Sequence, residues 1–341
     1  MSTVLDSINA ALRQALENDP AVILLGEDLL DPYGGAFKVT RGLSSSFPGR
    51  VLSTPISEAG IVGIATGMAL RGLRPVVEIM FGDFVTLIAD QIINHAAKFS
   101  WMYNGQVQVP LVIRTPMGGR RGYGPTHSQT LEKLFLGTPG LRVLALCSLG
   151  DPGELLLEAI RDPGPVLFVE NKLLYGRELK TPQALGDFYL LVEHTGEDQE
   201  QENSPHGYSL TIRGAPEPTL TLAAYGYMAE LAMEAAYQLA FEHELFSELI
   251  ILTQLAPFML EPVCRSVQRT GRLLAVEEGN LSLGWGAEVI AKTVEVLGPQ
   301  LRAARRTAAL DLPVPASVAL EERMLPGVET IIHTALELSH A

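Results

Sequence analysis

Short, continuous apolar runs alternate with helix-period patterns along the first half of the chain. Residues 21–25 read as a buried strand ending at Gly26-Glu27-Asp28, and residues 75–80 as a second strand. Between them, residues 60–70 are small and apolar at close spacing, which suits a helix packed tightly on a sheet. Phe84, Leu87, Ile88, Gln91, Ile92 and His95 recur every three or four residues and predict one stripe of a further helix. Strands are expected at 111–114, 141–146 and 165–169, with Asp151-Pro152 as N-cap and first residue of a helix through 155–160. Strands that are apolar along their whole length and alternate with helices predict a mostly parallel sheet covered on both faces.

From 186 to 216 the pattern gives way to polar and acidic residues with Pro205, Gly207, Gly214 and Pro216, a linker signature in which 208–212 keeps some strand character. Alternation then restarts, with strands at 219–225, 249–252, 273–276 and 307–310 and helices at 229–242, 261–269, 287–296 and 327–338. The chain therefore reads as α/β, with two three-layer α/β/α domains at 1–185 and 217–341 joined by the 186–216 linker.

Composition narrows the function. The 341 residues suffice for two domains with their own cores, and 47% hydrophobic against 19% charged residues is ordinary for a globular protein. A net charge of -14, from 39 acids and 25 bases, repels phosphate backbones and argues against nucleic-acid binding. Part of that charge falls in 197–202, which reads as a solvated loop. Cys147 and Cys264 sit in apolar contexts and are expected as buried free thiols. The N-terminal residues lack a basic segment followed by an apolar one, and no apolar run reaches the roughly 18–20 residues needed to span a bilayer. A cytoplasmic protein is expected.

Chemistry concentrates in Thr54-Pro55-Ile56-Ser57-Glu58-Ala59-Gly60, where one acid at a loop-to-helix transition is followed by glycines at 60, 63 and 67. A carboxyl there is poorly solvated unless something pairs with it. The same spacing suits an N-terminal carboxylate favoured by the helix dipole, with glycines for packing, and spacing alone does not choose between the two. A second locus is Gly118-Gly119-Arg120-Arg121-Gly122-Tyr123-Gly124-Pro125-Thr126-His127, a loop whose glycines allow close approach to a ligand or lid. Arg120 and Arg121 suit either attraction of carboxylates or ordering of the loop.

Ile56-Ser57-Glu58 with its small-residue helix resembles the aminopyrimidine-binding motif of the beta subunits of thiamine-diphosphate-dependent 2-oxo acid dehydrogenases. The resemblance continues through Gly72-Leu73-Arg74-Pro75, Glu78, Asp90-Gln91-Ile92-Ile93-Asn94, Ala96-Ala97-Lys98, Gly124-Pro125-Thr126-His127-Ser128-Gln129, Pro139-Gly140-Leu141 and Glu170-Asn171. It extends to Glu277-Glu278-Gly279, Gly286-Ala287-Glu288 and Asp311-Leu312-Pro313-Val314-Pro315, spanning nearly the whole chain in order. The resemblance implies a transketolase-like pyrimidine-binding domain followed by a smaller transketolase-like C-terminal domain. It implies that Glu58 hydrogen-bonds a ring nitrogen of the cofactor, that Ile56, Met80 and Phe84 line the aminopyrimidine pocket, and that His127 acts near the substrate carboxylate and the acyl-transfer step. Some members hold a potassium ion on main-chain carbonyls, and the corresponding positions are Leu111, Ala159, Asp162 and Gly164.

Thiamine diphosphate also needs a magnesium-diphosphate site, commonly signalled by Gly-Asp-Gly and a later Asn. Gly82-Asp83-Phe84 is the nearest string, with Phe in place of the second Gly and Asn94 following too soon. An alpha subunit is therefore expected to hold Mg2+ and complete an α2β2 heterotetramer. The chain departs from the family at Thr253-Gln254-Leu255-Ala256-Pro257 and in its acidic linker, near the region that docks a lipoyl-bearing acyltransferase. The expected function is decarboxylation of a 2-oxo acid with acyl transfer to lipoamide. The alternatives are a two-component carboligase of transketolase type that uses another acceptor, and a noncatalytic scaffold subunit.

Overall fold

A computed structural model describes residues 2–193 and 207–340. The chain divides into two compact units, Met1–Gly118 with Leu134–Leu179 and Gly119–Lys133 with Lys180–Ala341. Residues 119–133 thus group with the second unit although they lie inside the 1–185 span expected as one domain.

The first unit contains strands β1 (Val22–Gly26), β2 (Val51–Ser53), β3 (Arg74–Glu78), β4 (Val112–Met117), β5 (Arg142–Ala145) and β6 (Val166–Asn171). They run parallel in the order β5-β6-β4-β3-β1-β2. Every residue of β4 and β6 is buried, so both sheet faces are covered, as uninterrupted apolar runs require. The helices are α1 (Val4–Asn18), α2 (Leu43–Ser46), α3 (Glu58–Leu70), α4 (Ala97–Met102) and α5 (Pro152–Arg161). Thr3 and Asp6 form a capping box on α1, whose buried Val4, Ile8, Ala11, Leu12, Ala15 and Leu16 repeat at helical spacing. Asp151 caps α5 by accepting from the Gly153 amide at 2.9 Å, and the Ser7 hydroxyl donates to the same carboxylate at 2.5 Å, tying α1 to α5.

One expected helix differs. In place of a single stripe through Phe84 and His95, the chain makes a 3-10 turn at Gly82–Ile88, a π turn at Gln91–Ala96, and only then α4. The tight first turn shifts the phase, so Val85, Ile88, Ile92 and Ala96 are buried while Leu87 and His95 face outward.

The second unit contains β7 (Phe188–Glu193), β8 (Gly207–Ile212), β9 (Leu220–Ala224), β10 (Ser247–Leu252), β11 (Gln254–Ala256), β12 (Arg272–Asn280) and β13 (Ala303–Ala309). Its main sheet has the order β13-β12-β9-β10-β8-β7, parallel from β13 to β10 and antiparallel across β8 and β7. Its helices are α6 (Met228–His243), α7 (Glu261–Thr270), α8 (Trp285–Leu297), α9 (Val318–Met324) and α10 (Val328–Ser339). The expected linker therefore carries two paired strands, with Phe188 opposite Ile212 and Glu193 opposite Gly207. β7 is an edge strand with Tyr189 and Leu191 exposed, and its run Phe188-Tyr189-Leu190-Leu191-Val192 is an apolar strand signal inside the span read as linker. The acidic run 197–202 lies outside the described residues. Cys147 and Cys264 are buried free thiols. Among the described residues, no helix is long and apolar enough to cross a membrane.

Candidate functional site

The chain passes from β1 to β2 on one side and then to β3 on the other, which makes the carboxyl ends of β1 and β3 a topological switch point. Ser53, Gly26 and Glu78 stand in register across β2, β1 and β3, so the segments that follow them leave the sheet at one level. Those segments carry Ile56 and Glu58, Glu27, and Met80 and Phe84. Glu58 opens α3 with only 7% of its surface exposed, whereas Ile56, two residues earlier, is 82% exposed. Met80 and Phe84 are half-buried, and Phe84 meets Phe81 edge-on at 5.8 Å.

Glu27 joins this group unforeseen. Its carboxyl is buried, and its Oε1 has no hydrogen-bond partner. Burial first, then the charges of Glu58 and Asp28, push it above the usual carboxylate range. An orphaned carboxyl oxygen, a buried acid and apolar and aromatic neighbours fit a ring that presents a nitrogen to the acid and a flat face to Phe84.

Beneath this group lies a buried ion network. Arg114 donates to Glu170 at 2.7 and 2.9 Å and to Glu78 at 2.9 Å, while the Tyr175 hydroxyl donates to Glu170 at 2.5 Å. Burial opposes the Arg114 charge, but Glu170 and Glu78 outweigh it and keep the guanidinium protonated. A sequence signal existed: an arginine directly after the run Leu111-Val112-Ile113, if buried with it, requires a buried anion.

His127 belongs to the second unit, whereas Ile56, Glu58, Met80 and Phe84 belong to the first. Its Nδ1 lies 3.0 Å from the Thr126 hydroxyl, and its amide donates to the Gly124 carbonyl at 3.3 Å. The Arg120 side chain leaves the loop for other parts of the second unit, donating through Nη2 to the Pro326 carbonyl at 2.5 Å and covering the Tyr227 ring at 5.9 Å.

Ala159 lies in the last turn of α5, Asp162 and Gly164 follow that helix, and Leu111 precedes β4. The Leu111 carbonyl accepts from the Val166 amide at 2.8 Å, and the Asp162 carbonyl lies 3.5 Å from Arg74 Nη1. A helix C-terminus leaves carbonyls without intrahelical partners, and its dipole favours a cation. A groove of about 1050 Å³ in the first unit is lined by Trp101, Pro139, Asp162 and Gly164 and contains none of Ile56, Glu58, Met80 and Phe84. Among the described residues, no group of three or more His, Cys, Asp or Glu is placed to hold a metal.

The architecture is that of a two-domain transketolase-type chain. Residues 2–178 match the transketolase pyrimidine-binding domain, and residues 209–331 match the transketolase C-terminal domain. A solved split-gene transketolase, an inactive beta4 tetramer, superposes with a TM-score of 0.75 at 18% identity over 100% of this chain and 99% of its own, which shows the common fold. The chain is 38% identical over 336 residues to pyruvate dehydrogenase E1 component subunit beta-1, mitochondrial, of Arabidopsis thaliana, covering 98% of this chain and 88% of that one. It is 35% identical to the acetoin:2,6-dichlorophenolindophenol oxidoreductase subunit beta of Cupriavidus necator, covering 96% and 95%. It is 34% identical to the pyruvate dehydrogenase E1 component subunit beta of Rickettsia conorii, covering 99% and 98%. The chain belongs to the family of E1 beta subunits of 2-oxo acid dehydrogenases.

Proposed function

We propose that this chain is the beta subunit of a thiamine-diphosphate-dependent 2-oxo acid dehydrogenase and supplies the pyrimidine half of its active site. The observation that carries the reading is Glu58, a buried acid at a helix start beside a second acid, Glu27, whose oxygen is orphaned. When bound, thiamine diphosphate supplies a thiazolium carbon that accepts electrons during decarboxylation. Glu58 holds a proton at a nitrogen of the pyrimidine ring, and its dry setting keeps water from competing for that bond. Phe84, Ile56 and Met80 would supply the apolar contacts that hold the ring. His127 donates a hydrogen bond or proton to the substrate carboxylate and during acyl transfer.

The diphosphate and Mg2+ belong to an alpha subunit in an α2β2 heterotetramer, and the carbonyls of Leu111, Ala159, Asp162 and Gly164 hold K+. A lipoyl-bearing acyltransferase takes the acyl group. The Cupriavidus relative's name gives weight to a second substrate, acetoin.

The test is coexpression with the alpha partner, followed by a screen of 2-oxo acids and acetoin with an artificial electron acceptor. Glu58→Gln is expected to leave assembly unchanged and lower turnover by about 10²-fold or more. Turnover near wild type in that variant removes Glu58 from the chemistry, and strong activity from the isolated chain overturns the half-site reading.

A further inference from the structure

We propose that Glu321, assisted by Glu278, is a positioning residue for His127, a buried carboxylate clasp that sets the start of its loop. The inference rests on the reading of His127 as catalytic. Glu321 on α9 is only 1% exposed, and its two oxygens accept from the amides of Arg120 at 2.6 Å and Gly122 at 3.1 Å. Glu278 in β12 accepts from the Gly119 amide at 2.7 Å. Three successive anchor points on four residues are thus held by acids 159 to 201 positions away in sequence.

The geometry demands such a hold. Arg120 has φ +66°, a left-handed conformation that a residue with a side chain rarely adopts unless its surroundings impose it. A Cβ at Gly119 would lie 2.6 Å from Leu325 Cδ1 and 2.9 Å from Glu321 Oε1, so both of those side-chain ends would have to shift to admit one. The far end of the segment is fastened separately: the Tyr225 hydroxyl donates to Glu132 at 2.5 Å, and Lys133 Nζ donates to the Ser282 carbonyl at 2.8 Å. His127 lies between two fixed ends. Carboxylate-to-amide bonds are charge-assisted and directional, so a change at Glu321 moves the backbone path that leads to the imidazole. A displacement of about 1 Å in a reacting group can cost about 10²-fold in rate.

The experiment uses the complex with the alpha subunit, loaded with thiamine diphosphate and Mg2+. Glu321→Ala is expected to lower kcat about ten- to a hundredfold with little change in KM. Amide exchange in 119–122 should rise about tenfold while the melting temperature of the complex holds. Glu321→Asp should recover part of kcat, and the exposed neighbour Glu322→Gln should behave as wild type. In a His127→Ala background, Glu321→Ala should add almost nothing, because both act through one group. Wild-type kcat in Glu321→Ala, or full additivity with His127→Ala, overturns the proposal. A normal rate in His127→Ala alone instead overturns the catalytic reading of that residue, and exchange at 119–122 then decides the clasp on its own. If Glu321→Ala does not assemble, Glu278→Gln, which alters one anchor, is read by the same measurements.

Discussion

Each unit holds a cluster of buried acids, and the two clusters are compensated in opposite ways. In the first, Glu78 and Glu170 flank the Arg114 guanidinium, so a cation compensates them. In the second, Glu132 takes a hydroxyl from Tyr225, Glu277 an amide from Gly286, Glu278 the amide of Gly119, and Glu321 the amides of Arg120 and Gly122. Neutral donors stabilise a carboxylate without fixing its charge. Burial foremost, against the Gly286 amide, pushes Glu277 up to about 7, with Arg306 a weaker influence. Glu132 is raised by burial in the same way, against the pull of Tyr225. A charge matched by a charge acts as a strut, whereas Glu277, held by dipoles, remains able to exchange its proton near neutrality.

The largest effect should come from removing the strut. Arg114→Met leaves two buried acids facing each other and should cost about 3–5 kcal/mol in urea denaturation. A loss below about 1 kcal/mol would mean that the network is not held by its cation.

Glu277 gives the next effect, with a definite sign. Its folded-state affinity for a proton exceeds that of the unfolded chain, where the carboxyl titrates at its ordinary 4.5. Between pH 4.5 and about 7 the folded state keeps a proton that the unfolded state releases, so stability falls as pH rises through that window. Glu277→Gln should abolish this slope, exceeding wild type by about 3 kcal/mol at about pH 8 and matching it near the lower limit. Parallel pH profiles for the two proteins would contradict the assignment.

The smallest effect is a matched pair. Tyr225→Phe strips Glu132 of its hydroxyl and should cost about 1–3 kcal/mol. Tyr175→Phe should cost about 1 kcal/mol or less, since Glu170 keeps both of its bonds to Arg114. Equal losses would erase the distinction between the units.

Much of the fold was legible because period and burial coincide. The apolar runs became β4 and β6, and the Asp151-Pro152 signal became a capped α5. Glu58 stood out through local context and family resemblance. The phase of the segment after Phe84 was not legible, because a 3-10 turn followed by a π turn breaks the 3.6-residue count without leaving a Pro or Gly at the break. Helix α1 escaped the reading although its buried positions repeat at helical intervals. The Arg114 network and the Glu321 clasp depend on partners 36 to 201 residues apart, and no window along the chain brings such residues together.

The excursion of residues 119–133 into the second unit has a consequence for synthesis. When the ribosome has translated the codon for Leu179, all six strands β1 to β6 have been made, yet the codons for Glu278 and Glu321 are still unread. A nascent polypeptide released at that point owns the pyrimidine-side acids and carries His127 on a segment whose fastenings have not been translated. Termination between positions 179 and 321 therefore yields a product that has all of β1 to β6 but lacks the Glu321 fastening of its histidine loop.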